Sequence, residues 1–186
     1  MTKTNIKLPP AGPALTLALA DHAAARDAVP ASQFTSAMST LAAAVTVVTA
    51  DDGQDRQGRT VTAMLSLSAE PPAVMVSITR DSELAQAIGA SGHFSLSVLA
   101  QDQQSVADAF AGWGAKDRFS SAEWDQWPSG QPLLIGAVSS LDCVVAGTIE
   151  MDTHLLYAGI VTHTRSYPDR APLIWQRRGY RALDQS

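Results

Sequence analysis

The chain has 186 residues, 46% of them hydrophobic and 17% charged, with a formal net charge of −5. That is enough apolar material for one sizeable core and argues against disorder of the whole chain. The acidic balance argues against nucleic acid and anionic membranes as partners, and a single cysteine, Cys143, rules out an internal disulfide and fits a reducing, cytoplasmic setting.

Residues 1–31 read as a flexible Ala/Pro-rich leader ahead of one domain, 32–186. Its apolar run, Ala14 to Ala20, is broken by Thr16, preceded by Pro9, Pro10 and Pro13, and followed at once by Asp21. It therefore makes a poor signal peptide. Ser32 is a candidate N-cap for a helix to Ala44, with Phe34, Met38 and Leu41 at helical spacing. Val45 to Ala50 is β-branched and predicts a strand, Asp51 to Gly58 a loop, and Thr60 to Ser68 a strand that bends. Glu70-Pro71-Pro72 ends it, because proline cannot donate to a ladder. Ala73 to Thr79 predicts a buried strand. Asp81 or Ser82 caps a helix to Ile88, ended by Gly89 and Gly92.

His93 to Ala100 predicts a strand. Asp102 caps a helix to Phe110, and Gly112 stops it. The stretch from Ala111 to Pro132 is long and carries Trp113, Phe119, Trp124 and Trp127, which suits a functional loop or one packed by its own aromatics. Leu141 to Glu150 and Thr153 to Thr164 are two strands joined at Met151-Asp152. A tail from Pro172 to Leu183 adds Trp175, Arg178 and Tyr180. About six strands with short helices between them, without regular strand–helix alternation, favour a closed or split antiparallel barrel over a doubly wound sheet.

The usual catalytic motifs are absent: no phosphate-binding GxxxxGK[ST], no GxGxxG after a strand, no HExxH, CxxC or GxSxG. The four histidines form no metal-ligand spacing. His154 and His163 fall on one strand nine residues apart, which puts them on opposite faces if that strand is unbroken. Cys143 sits in an apolar strand and reads as inert. The informative stretch is Gly58 to Ser68, crowded with hydroxyls in an apolar context. Such a stretch suits either a half-exposed strand or a cradle of neutral donors for a phosphate and the polar edge of a flat ring.

The order and spacing of several pieces resemble the short-chain flavin reductases, the reductase components of two-component flavin monooxygenases. They are Phe34-x-x-Ala37-Met38 leading to Val45-Thr46-Val47-Val48-Thr49, Gly58 through Pro72, Ser82, Ile88, Ser91-Gly92 and Phe94, Phe110-Ala111-Gly112, Asp117-Arg118-Phe119, Gly130-x-Pro132, and Pro172-Leu173 with Arg178 and Tyr180. The resemblance implies a mainly β fold with short helices, the FMN-binding split β-barrel of antiparallel Greek-key type, assembled as a homodimer. It implies an NAD(P)H-dependent enzyme that takes NADH or NADPH as co-substrate, reduces FMN or FAD, and supplies reduced flavin to a partner monooxygenase. Thr60, Val61, Thr62 and Ala63 would line the flavin, Ser66 and Ser82 its ribityl or phosphate end, and Arg118 and Phe119 the flavin or nicotinamide. His154 would meet the nicotinamide as the catalytic-site histidine.

Two departures stand out. Asp152-Thr153-His154 replaces the family's Gly-Asp-His, and Ser97 stands where an asparagine is usual, altering a hydrogen bond to the flavin or to the barrel wall. Three other readings remain: a tight-flavin oxidoreductase with another acceptor, a non-catalytic flavin- or haem-binding barrel, and an oxidase of the pyridoxamine-phosphate type.

Overall fold

The computed structural model describes residues 15–114 and 117–183; the leader's first fourteen residues lie outside that range. In chain order the elements are β1 (Leu15–Leu17), a 3₁₀ turn (Ala23–Asp27), α1 (Ala31–Met38), β2 (Ala43–Ala44), β3 (Thr46–Asp51), β4 (Arg56–Val61), β5 (Met64–Ala69), β6 (Pro72–Thr79), α2 (Glu83–Ser91) and β7 (His93–Val98). A 3₁₀ turn (Gln101–Gln103), α3 (Gln104–Ala111) and a further 3₁₀ turn (Arg118–Ser121) follow. The chain then forms β8 (Trp124–Gln126), β9 (Pro132–Leu134), the long hairpin β10 (Ser139–Met151) and β11 (His154–Ser166), and the small hairpin β12 (Ile174–Gln176) and β13 (Gly179–Arg181).

The main sheet runs β4-β3-β7-β10-β11-β6-β5, antiparallel throughout, with β1 added in parallel to the end of β10. Its two edges, β4 and β5, are joined by only two residues, Thr62 and Ala63. Edges tied so closely must lie side by side, so the sheet curls into a barrel. No ladder pairs β4 with β5, and the barrel stays split along that seam. The interior is apolar: Val48, Val76, Phe94, Leu96, Cys143 and Tyr157 belong to one buried cluster. A second cluster lies outside the wall, where α3, β9 and the tail bring Phe110, Leu134 and Leu173 against Val45 and Val47.

Several boundaries differ from the sequence reading. The first helix has Pro30, not Ser32, at its N-cap, and it ends at Met38 because the chain must turn into β2, which pairs with β12. The expected loop from Asp51 shrinks to a tight turn, in which Asp51 and Asp52 accept backbone N–H groups of Gly53, Gln54 and Asp55, so β4 begins at Arg56. The bending strand is two strands, β4 and β5. Ser82 caps α2 as expected, its Oγ accepting from the Ala85 N–H, but Gly89 lies within the helix and Gly92 alone, at φ 68°, ends it. Asp102 caps nothing; a 3₁₀ turn precedes α3 and Asp102 pairs with Arg170. Part of the leader is engaged, since β1 pairs with Ile149–Met151.

The two histidines of β11 share the outer face. Asp142 pairs with His163 and Cys143 with Val161, so Thr162 is an extra residue, and this bulge reverses the parity. His163 is structural in its contacts, with Nδ1 3.1 Å from the fully buried Asp142 carboxylate, which also accepts from Ser129.

Candidate functional site

A cleft of about 640 Å³ opens along the seam. One wall is the free edge of β4 with its two-residue link, residues 57–63. The facing wall is Ser77, Ile78 and Thr79 of β6 and the start of α2 at residues 81–84. Arg118 and His154 complete the lining. The location follows from the pairing scheme. An edge strand offers main-chain donors and acceptors that no neighbour uses, and here the split holds one such edge open to a ligand.

Seven of the ten residues singled out in the sequence line this cleft: Thr60, Val61, Thr62, Ala63, Ser82, Arg118 and His154. Thr60 Oγ1 donates to the Ala107 carbonyl, which pins the strand to α3. Arg118 does not pair with its neighbour Asp117, whose carboxylate caps the 3₁₀ turn by accepting from the Phe119 N–H. Its Nη1 donates instead to the Gly58 carbonyl at 2.9 Å, bridging the aromatic loop to β4. Ser82 Oγ is already engaged twice, donating to the Thr79 carbonyl and accepting from Ala85.

The remaining three are elsewhere. Ser97 is buried in the barrel wall, its Oγ 2.9 Å from Ser140 Oγ, so the hydrogen bond left open by the missing asparagine belongs to the wall. Ser66 lies on β5 opposite Val74, away from the cleft lining. Phe119 lines a neighbouring pocket that shares Gly58 and Arg118 with the cleft. Its ring packs edge-on against Phe110 at 5.1 Å, and the Arg56 guanidinium lies over it at 4.5 Å.

The displaced acid beside His154 has a use. Asp152 accepts the backbone N–H groups of Leu19 and Ala20 at 3.0 and 3.2 Å, tying the leader to the β10–β11 turn, where its φ of 30° suits the two-residue hairpin. His154, left without that carboxylate, has Nδ1 2.9 Å from Thr153 Oγ1.

The sequence reading missed the β6 wall. Ser77 and Thr79 sit in a strand that reads as core, and only their alternation with Val76 and Ile78 marks a polar face. It also missed Asp81 and Glu83, whose carboxylates line the cleft beside the N-terminus of α2. Arg59, an exposed β4 residue, lines the cleft as well. The donor set fits a flavin: neutral hydroxyls and an open strand edge suit the ring's carbonyls and nitrogens, and Arg59 and Arg118 suit phosphate. No group of three or more His, Cys, Asp or Glu able to hold a metal occurs among the described residues. No helix among them is long and apolar enough to cross a membrane.

Cleft, seam and motif order together define an oxidoreductase-type split barrel. The chain belongs to the flavin reductase like domain family, whose model matches residues 38–184. It is 38% identical over 159 residues to an NADH:riboflavin 5'-phosphate oxidoreductase of Streptomyces pristinaespiralis, covering 84% of this chain and 90% of that one. Among solved structures it resembles an NADH:FAD oxidoreductase of Streptomyces globisporus in complex with NAD and FAD fragments, with a TM-score of 0.77, 28% identity and coverage of 83% and 93%. It also resembles a homologue of nitrilotriacetate monooxygenase component B from Mycobacterium thermoresistibile, with a TM-score of 0.77, 27% identity and coverage of 82% and 86%.

Proposed function

We propose that this chain is an NADH-dependent flavin reductase that reduces FMN or FAD and hands the reduced flavin to a separate monooxygenase. The observation that carries the reading is the convergence of seven expected site residues on one cleft at the split edge of the barrel. The relatives named above support the reductant, the flavin and the partner.

A bound flavin supplies the ring that accepts a hydride from reduced nicotinamide. The protein's part is to bind, orient and release. The β4 edge and the Thr60 and Thr62 hydroxyls offer neutral donors along one wall, and the Gly58 carbonyl is held by Arg118 so that this wall keeps its shape. His154, from β11, lines the same cleft and in this proposal orients the nicotinamide. Asp81 and Glu83 put negative charge near the start of α2, which leaves the anionic end of the ligand to Arg59 and Arg118. Two cations make a weak clamp, suited to a product that must leave for a partner enzyme.

We also propose a cytoplasmic homodimer. Phe34 and Met38 of α1, Leu41 after it, and Leu65 and Leu67 of β5 are all exposed, more large apolar side chains than a lone subunit leaves in water without a use.

The test is NADH or NADPH oxidation by the purified protein with free FMN or FAD. Oxidation that depends on added flavin is the expected result. Flavin binding with no oxidation in any pairing overturns the reading.

A further inference from the structure

Beside the cleft lies a second pocket of about 260 Å³, and Arg59, Thr60, Val61 and Thr62 line both. Its chemistry is the opposite of the cleft's. Trp113, Trp175 and Tyr180 surround it, with Val45 and Ala111 at its base. Trp113 is 69% exposed, a large ring left in water. Trp175 is held: Tyr180 meets it edge-on at 5.0 Å, and the Tyr180 hydroxyl donates to Asp108 at 2.7 Å. The two indoles are 6.3 Å apart and tilted by 41°, so they are not stacked face to face on each other. The pocket is thus one fixed ring and one free ring, suited to a flat aromatic guest.

Arg59 stands on the shared wall, exposed, and forms no ion pair among the described residues. Of the neighbouring arginines, Arg118 gives Nη1 to the Gly58 carbonyl and keeps its other N–H groups for the ligand, while Arg56 lies over the face of Phe119. Cleft and aromatic pocket therefore adjoin across Arg59–Thr62, with the Arg59 cation on the wall between them. A ligand that uses all three has a polar-edged ring at one end, an anionic joint and a second flat ring at the other.

We propose that the Trp113–Trp175–Tyr180 pocket seats the adenine of FAD, with Arg59 on the pyrophosphate, and that the chain discriminates FAD from FMN through it. This rests on the reading of the cleft as the flavin site. A mononucleotide ends at its phosphate and never reaches the pocket. The nicotinamide dinucleotide also carries an adenine, but His154, which orients nicotinamide in this reading, belongs to β11 and is not part of the aromatic pocket. A flavin dinucleotide with its ring against Thr60–Ala63 reaches the pocket across that shared wall.

The experiment is equilibrium binding of FAD and FMN, followed by flavin fluorescence in the absence of NADH, to the wild-type protein, Trp113→Ala, Trp113→Phe and Arg59→Ala. Trp113 is exposed, so its variants are expected to fold, which circular dichroism checks. Trp113→Ala is expected to raise the Kd for FAD about tenfold relative to the Kd for FMN, the worth of one base-on-ring stack. Trp113→Phe keeps a ring face and restores most of it. Arg59→Ala weakens both flavins, and FAD more. Equal weakening of FAD and FMN by Trp113→Ala would place the flavin ring itself in the pocket and overturn the proposal, as would no change in either. If neither flavin binds the wild-type protein, the flavin reading itself falls and the proposal goes with it.

Discussion

Gly58 is the tightest point between the barrel and the site, and replacing it with alanine tests how the two are coupled. A Cβ added there would lie 2.4 Å from Phe110 Cε1, 2.7 Å from Cδ1 and 3.0 Å from Thr49 Cγ2. Phe110 is fully buried and cannot swing away freely, because Phe119 packs edge-on against it at 5.1 Å and Trp124 at 5.6 Å. The strand must yield instead. Overpacking of this kind costs about 1–3 kcal/mol, a fall in Tm of roughly 2–12 °C at about 2–4 °C per kcal/mol for a domain of this size. Since β4 is an edge strand, it yields toward the cleft, and flavin affinity should fall together with Tm. Thermal unfolding and a flavin titration of Gly58→Ala, Phe110→Leu and the double variant measure both. The double variant should lose less than the sum of the single losses, because the smaller side chain makes room. Losses additive to within about 0.5 kcal/mol, or an unchanged Tm for Gly58→Ala, would refute the reasoning.

Two further outcomes follow from the same interior and surface. Burial, then the charge of Asp142, pushes the Cys143 thiol up to about 12, and burial with the Asp108 hydrogen bond raises the Tyr180 phenol, as burial alone raises Tyr157. A group whose pKa is raised by folding stabilises the native state at low pH and loses that contribution as pH climbs past its unfolded value, about 8.5 for Cys and about 10 for Tyr. The urea midpoint should therefore decline steadily from about pH 8.5 upward, less steeply in Cys143→Ala and, above about pH 10, in Tyr180→Phe; a midpoint flat to pH 11 in the wild type, at least about 2 units above the unfolded thiol, contradicts this. Phe34→Asp, at a position 56% exposed in the lone subunit, should leave a monomer's Tm nearly unchanged but halve the molar mass found by light scattering if α1 forms the dimer face; a mass that stays that of a dimer removes α1 from the interface.

Much of this fold is legible in the sequence because local chemistry decides it. Ser82 before an apolar helix and Gly92 after it produce a cap and a left-handed stop wherever they occur. The β-branched runs of β3 and β6 are strands in any environment. What is hidden is non-local. Nothing near Arg56 says that a strand begins there; its ladder partner, Asp51, is supplied by the turn between them, and the expected loop becomes an edge strand. The bulge at Thr162 is likewise set by the pairing with β10, and it decides which face His163 takes. The cleft follows the same division. Thr60 to Ala63 could be identified from the hydroxyl-rich stretch and its family resemblance, whereas Arg59 and the Ser77–Thr79 wall depend on the closure of the barrel. Ser97 enters the expected site only through the family resemblance, and the partner its hydroxyl has here, Ser140, is forty-three residues away on the adjacent strand.

The unpaired seam also carries a hazard. An open strand edge recruits other strands, and a protein with a β4 free on one side risks templating its own association. This chain puts Arg56 and Arg59 on that strand, repelling a second copy at the same edge. A ligand lodged along it would act as a removable shield. A reductase that releases its product bares that edge in part of every turnover, and flavin-free protein is therefore expected to aggregate faster than flavin-loaded protein in a light-scattering time course.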